Sequence, residues 1–328
     1  MTRSRVSTAI AMLISGLIVA AGVQRAGAQT LRFIQVGAIA GPADLIRVEG
    51  ANAYVSAGKT LAVFDVSKPE APKRQGSHTF PEKIWGFRVV GPLVYVAADF
   101  FGLGVLDVSN PSAPTLRGSL KTPGQAKNVA VFGTKALVAD HMSGLDYIDV
   151  SNAARPAKLG SFFLDGYARD VVTAGSLAYA VDAPTGLYVL DLARPDPLEP
   201  VSIVQSANAP SFIELSDSST SPRLACLVGA GLLQIYDVTN PAAPVKVGSL
   251  RTPGRPLRAS LKGKLAYVAD GPEGLQVVDL SKPAMPAIVG GYKTAAPARD
   301  VAVAASHVFL VLGGREGGGE AVVLRQVP

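Results

Sequence analysis

Six aspartates, Asp65, Asp107, Asp149, Asp191, Asp237 and Asp279, recur at steps of 42, 42, 42, 46 and 42 residues. Carboxylates repeated so evenly could do two kinds of chemistry. They could bind divalent cations, but a calcium loop needs several oxygen ligands within about a dozen residues, and each of these aspartates stands alone before a turn of the Ser-Asn-Pro type. They could instead accept hydrogen bonds from the backbone N–H groups of that turn, as Asx motifs do. Repetition favours the second reading, because what every unit carries serves what every unit needs, which is folding. Asp99, Asp140, Asp182 and Asp270, each closing an Ala-Asp or Val-Asp pair, are read the same way.

Other reactive residues form no catalytic set. His78, His141 and His307 fall in the first, third and seventh units, with His307 expected on the opposite face, so no three-histidine metal site is expected. No serine occupies a G-x-S-x-G elbow. Cys226 is the single cysteine, lies in an apolar run, and reads as a small buried hydrophobe. GGREGGGE (313–320) precedes no helix and reads as a flexible loop rather than a phosphate cradle. The sequence therefore predicts no catalytic residue, no metal and no cofactor.

The elements that would position any site begin after a leader. MTRSR, the apolar run AIAMLISGLIVAAG and the small-residue end at Ala26 and Ala28 predict a secretory signal over residues 1–28, with a single domain over 29–328. The apolar run is shorter than the ~20 residues that span a bilayer. The expected location is periplasmic, secreted or cell-surface. Loss of Arg3, Arg5 and Arg25 lowers the formal charge from +6 to +3. Scattered charge of that size gives no footprint for nucleic acid.

Each 42-residue unit contains four short apolar runs, exemplified by ARDVVTAG (168–175), LAYVADG (265–271), the GLQVVDL type and PVKVGSL (244–250). All are rich in β-branched or aromatic residues and bounded by Gly, Pro, Asn or Asp, which are strand signals. Four strands per unit, repeated about seven times, predict an all-β, seven-bladed β-propeller. One such sheet cannot bury enough apolar area to offset ~1–2 kcal/mol of backbone entropy per residue, so it needs a neighbour on each face. The seventh unit lacks a fourth strand, whereas RFIQVGAI (32–39) is a fourth strand with no unit before it. The N-terminal strand is therefore expected to complete the C-terminal blade.

The motif in GLGVLDVSNPSAP (102–114), AYVADGPEGLQVVDLSKPAMP (266–286) and ARDVAV (298–303) resembles the LVIVD-repeat proteins of bacteria and archaea, with strands similar to those of YVTN-type exported propellers. The resemblance covers essentially all of 29–328. It implies an exported propeller and no defined activity. Blade five departs most, with the SDSSTSPR insertion (216–223).

Function is expected where blades differ, on the face formed by the fourth-to-first and second-to-third strand loops. There HTFPEKIWGFR (78–88) and the next same-face loop gather Phe80, Trp85, Phe87, Phe100 and Phe101 into one sector. These are either core and channel plugs or a platform for a sugar, peptide or apolar ligand. The 42-residue register predicts a channel mouth lined by Asp44, Lys127, Asn128, Arg169, Asp170, Arg258, Arg299 and Asp300. These are either a solvated ion-pair ring or a site for an anionic or polar ligand. The resulting expectation is a non-catalytic module that binds a protein, a glycan or a small molecule in the cell envelope or exterior. The alternative is a hydrolase or lyase in which Asp44, Asp170 and Asp300 converge across the mouth.

Overall fold

The computed structural model describes residues 30–194, 199–206, 208–217, 223–313 and 318–327. The expected signal segment lies outside them, as do parts of the SDSSTSPR and GGREGGGE stretches. The described residues form twenty-eight strands, β1 to β28 in chain order. Among the described residues no helix is long and apolar enough to cross a membrane.

The strands fall into sets of four. The first set is β2 (Leu45–Glu49), β3 (Asn52–Ala57), β4 (Thr60–Asp65) and β5 (Lys73–Thr79), paired antiparallel in that order. Four further sets repeat the order as separate sheets. The last two are joined where β1 (Leu31–Ile39) meets β25 (Ala287–Tyr292) over two residues, Leu31 and Arg32. The main partner of β1 is β28 (Glu320–Val327), paired antiparallel from Arg32 opposite Val327 to Ile39 opposite Ala321. The strand from the start of the chain thus completes the last blade, as the leftover runs in the sequence predict.

Seven hydrophobic clusters lie between adjacent blades. One joins Ile46 and Val55 of the first blade to Phe309 and Val323 of the last, which closes the ring. Second and third strands are buried on both faces because a blade stands on either side, as in β3 and β4. Fourth strands form the rim, are exposed or half-buried, and carry charges such as Lys73 and Arg74 that blunt an open edge. A glycine in the fourth strand lets blades approach: a Cβ on Gly76 would lie 2.5 Å from the Pro111 carbonyl oxygen of the next blade.

At the lower end of the blades the six periodic aspartates cap turns. Asp65, Asp107, Asp149, Asp191, Asp237 and Asp279 each accept the N–H two residues on, at 2.8 to 3.1 Å. Hydrogen bonds from Ser67 and Ser109 hold Asp65 and Asp107 below the ordinary carboxylate range. At the upper end Asp140 accepts from Thr122 Oγ1 (2.7 Å) and Gly124 N (2.6 Å), and Asp270 does the same with Thr252 and Gly254. Asp182 ties Gly166 and Gly186. Asp99 does not belong with these three. Its backbone bridges to Ala126 as His141 bridges to Ala168 and Gly271 to Ala298, and all three have positive φ. In the second blade Ala98 therefore takes the place of the structural aspartate. Cys226 is fully buried, and burial pushes its thiol up to about 12, which makes it inert at neutral pH.

Candidate functional site

The first strands of the seven blades surround the channel. They are β2, β6 (Gly86–Val90), β10 (Asn128–Phe132), β14 (Tyr167–Ala174), β18 (Phe212–Leu215), β22 (Arg258–Lys262) and β26 (Ala298–Ala304). Pairing with the second strands sets their register. Leu45, Gly86, Asn128, Asp170, Phe212, Arg258 and Asp300 stand opposite Ser56, Ala97, Ala139, Val181, Val228, Ala269 and Val311. One residue earlier in each blade come Asp44, Trp85, Lys127, Arg169, Ser211, Leu257 and Arg299. These seven line an open cavity of about 390 Å³ at the upper mouth. Strand side chains alternate in direction, so the preceding set faces the mouth; of the paired set, Asn128, Asp170 and Asp300 turn toward neighbouring blades, while Leu45, Phe212 and Arg258 also reach the cavity.

This corrects two expectations. A strict 42-residue step aligns Asp44 with Asn128, Asp170 and Asp300, whereas the pairing is shifted by one residue in the first blade and puts Leu45 there. Asp170 and Asp300 do not converge with Asp44 across the mouth. Both are buried, and both clasp the next blade. Asp170 Oδ2 accepts Ile213 N at 3.0 Å, while its Oδ1 accepts Val171 N and the side-chain amide of Asn128. Asp300 Oδ2 accepts Ile46 N at 2.9 Å and Arg47 at 2.8 Å, and Arg258 Nε stands 3.9 Å from Oδ1. Burial raises Asp170 despite the nearby Arg258 charge. Gly86 has no room for a side chain, since a Cβ would meet Asn128 Oδ1 at 2.4 Å.

The mouth is cationic rather than mixed. Its lining includes Lys83, Lys127, Arg169, Arg258 and Arg299, with His141, against the single carboxylate of Asp44. Lys83 and Lys127 place their ammonium groups 4.5 and 4.2 Å from the centre of the Trp85 ring. Desolvation lowers Lys127 first, and the Arg169 and Lys83 charges push the same way against Asp99. His141 stacks on Tyr167 at 4.9 Å and is held below its ordinary value by burial and then by Lys127 and Arg169.

The predicted aromatic sector divides. Phe80 and Phe87 are each 2% exposed and belong to the core between the first two blades. Phe101 packs beside them, its ring 5.9 Å from Phe80. Only Trp85 and Phe100 stay at the surface. Phe87 turns inward from its strand, and Phe80 and Phe101 from the loops beside it, where large rings bury most area.

A second tier lies deeper and was not anticipated. Two residues below the paired set, Arg47, Arg88 and Glu214 line a small cavity under the mouth with Phe87 and Phe212. Burial pushes Glu214 up to about 7 even though Arg47 and Arg88 are the nearest opposing charges. The register gives only the positions, since the same strands carry the tier at the next alternate residues; the charge environment comes from the assembled ring. Lys83, in the HTFPEKIWGFR stretch, was likewise missed among its aromatics.

The family model of the LVIVD repeat matches residues 40–79, 84–122, 123–163, 165–201 and 254–294, which is more than half of the chain. Blade five, which carries Glu214, lies outside the matched segments. Among curated proteins no sequence matches the chain. Of solved structures, a chain in the crystal structure of a mitotic checkpoint complex is similar over 97% of this chain and 98% of its own, with 10% identity and a TM-score of 0.68. At that identity the likeness concerns the fold alone.

Proposed function

Since this chain belongs to the LVIVD-repeat family, we propose that it is an exported, non-catalytic binding module whose ligand face is the upper mouth of the channel. One observation carries the reading: the mouth gathers five cations around one carboxylate in an open cavity of about 390 Å³, on the face where the blades differ. Such a concave cationic surface attracts anionic groups and raises their local concentration. The leader-like residues 1–28 support export, and the propeller fold supports binding, since propellers carry ligands on loops of a rigid ring. The structural neighbour is part of a protein complex, which supports a protein among the candidate partners.

The test is calorimetric and thermal titration of residues 29–328 with citrate at low salt. A rise in Tm is expected that Lys127→Glu and Arg169→Glu each reduce and that Lys246→Glu, on a rim strand, leaves alone. No rise with citrate would sink the reading. Export is checked by fractionating cells that express the chain with and without residues 1–28.

The hydrolase or lyase reading keeps one observation in its favour, Glu214 near neutrality beside two arginines. Asp170 and Asp300 are committed to backbone and side-chain donors and are not free to exchange protons with a substrate. Hydrolysis of any ester or glycoside that Glu214→Gln abolishes would establish that reading.

A further inference from the structure

Thirteen large hydrophobic side chains are exposed among the described residues, and most are spread singly over rim strands and lower turns. Four of them are aromatic: Trp85, Phe100, Phe163 and Tyr167. All four lie on the upper face of the second to fourth blades, together with Met142. Phe163 is 75% and Met142 73% exposed.

The topology brings them into one arc. Phe100 follows Asp99, whose backbone bridges to Ala126 beside Lys127. Met142 follows His141, whose backbone bridges to Ala168 between Tyr167 and Arg169. A Cβ on Gly144 would lie 2.9 Å from the Phe163 Cα, which sets Phe163 against the loop that carries Met142. The arc therefore borders the cationic mouth along Lys83, Lys127 and Arg169. Large apolar groups collected on one face beside a charged cleft offer a partner more than singly scattered ones do.

From this juxtaposition we infer that the upper face of blades two to four docks an acidic segment of a partner polypeptide, its carboxylates in the cationic mouth and its large apolar side chains on the Trp85–Phe163 arc. The inference rests on the anion-binding reading above and names its occupant. Three features select a polypeptide. Aromatic residues, Met and Arg are the types enriched in protein interfaces. The Trp85 ring carries two ammonium groups within 4.5 Å, so it offers carboxylate-pairing cations rather than a bare face for a sugar ring. Of the remaining groups Tyr167 already stacks on His141, and the others are a flexible methionine and two phenylalanines on separate loops, suited to irregular side chains and not to a stack of bases.

The experiment is fluorescence anisotropy at low salt with residues 29–328 and three labelled probes: a Glu-Glu-Phe repeat peptide, an oligoglutamate of equal length, and a heparin fragment. The Glu-Glu-Phe peptide is expected to bind about tenfold more tightly than oligoglutamate, a difference of about 1.4 kcal/mol. Phe163→Ser with Met142→Ser should remove that difference and leave oligoglutamate binding unchanged; both side chains are so exposed that circular dichroism should report an intact fold. Lys127→Glu with Arg169→Glu should abolish both. Equal affinity for the two peptides would overturn the inference while leaving the mouth as an anion site. Tighter binding of heparin than of either peptide would overturn it as well. Failure of all three probes, with no response to citrate, would overturn the anion-binding reading itself.

Discussion

The two ends of the blades use repetition in opposite ways. At the lower end six aspartates make the same hydrogen bond to the residue two places on, in turns of nearly one sequence. At the upper end the seven equivalent mouth positions hold Asp, Trp, Lys, Arg, Ser, Leu and Arg. The lower end shows what one blade needs to turn its chain. The upper end shows positions released from that need, where residues can be chosen for a ligand. One step inside the mouth the contrast is less simple. Asn128, Asp170 and Asp300 differ from their counterparts in other blades and are nevertheless structural, because they clasp the seams between the third and fourth, fourth and fifth, and seventh and first blades. Variation between blades marks a candidate, and burial decides whether it faces a ligand or a neighbour.

The largest expected effect tests that clasp. Asp300→Ala leaves Ile46 N without its acceptor and leaves the partly buried Arg47 and Arg258 without their nearest carboxylate, at the seam that closes the ring. Removing one partner of such a pair typically costs about 3–5 kcal/mol. Urea unfolding should show a midpoint lowered accordingly, and Asp300→Asn should recover part of it by keeping an acceptor for Ile46 N. A loss below about 1 kcal/mol would mean that the channel aspartates are dispensable to the ring and returned to the pool of functional candidates.

Most of the fold was legible in the sequence, because the signals that specify it are repeated. Period, strand composition and the unmatched runs at the two ends each point to a closed ring, and the pairing of Arg32 with Val327 completes it as read. The site was legible to within one residue. Mouth and clasp alternate along a strand, so a single-residue slip in the first blade exchanged Asp44 for Leu45 and mixed the two tiers. Phe80 and Phe87 were grouped with Trp85 by sequence distance, and nothing in their types tells which of several aromatics turns inward. Glu214 was invisible for a different reason: its chemistry comes from Arg47 and Arg88 on blades remote in sequence, and from burial that only the assembled ring supplies.

Glu214 gives an intermediate effect and a pH signature. Its folded-state value is raised from 4.5 to about 7, so the native state holds the proton more firmly than the unfolded chain. The stability it contributes is full below pH 4.5 and is lost as pH rises toward and through 7. The loss, at about 1.36 kcal/mol per pKa unit, is about 3 kcal/mol. Glu214→Gln should flatten the pH dependence of the unfolding midpoint over that window and make the variant more stable than the parent at pH 8. Parallel pH curves for the two proteins would show that the Arg47 and Arg88 charges already keep Glu214 ionised, and would remove the main support for an acid–base role in the channel.

The smallest effect separates the two ends of the blades most directly. Asp279→Ala removes an acceptor for Ser281 N and Oγ in an exposed lower turn, and should cost about 0.5–1 kcal/mol because the freed donors can bind water. The equivalent change at Asp237 should cost somewhat less, toward the lower end of that range, since it accepts the same backbone N–H, from Thr239, without the added hydroxyl bond. Leu257→Ser at the mouth changes a position with no repeated partner, and should move the unfolding midpoint by less than about 0.5 kcal/mol. If the mouth substitution instead costs as much as the turn substitutions, the upper positions are bound by folding after all, and their diversity would reflect seven local packing solutions rather than one binding surface.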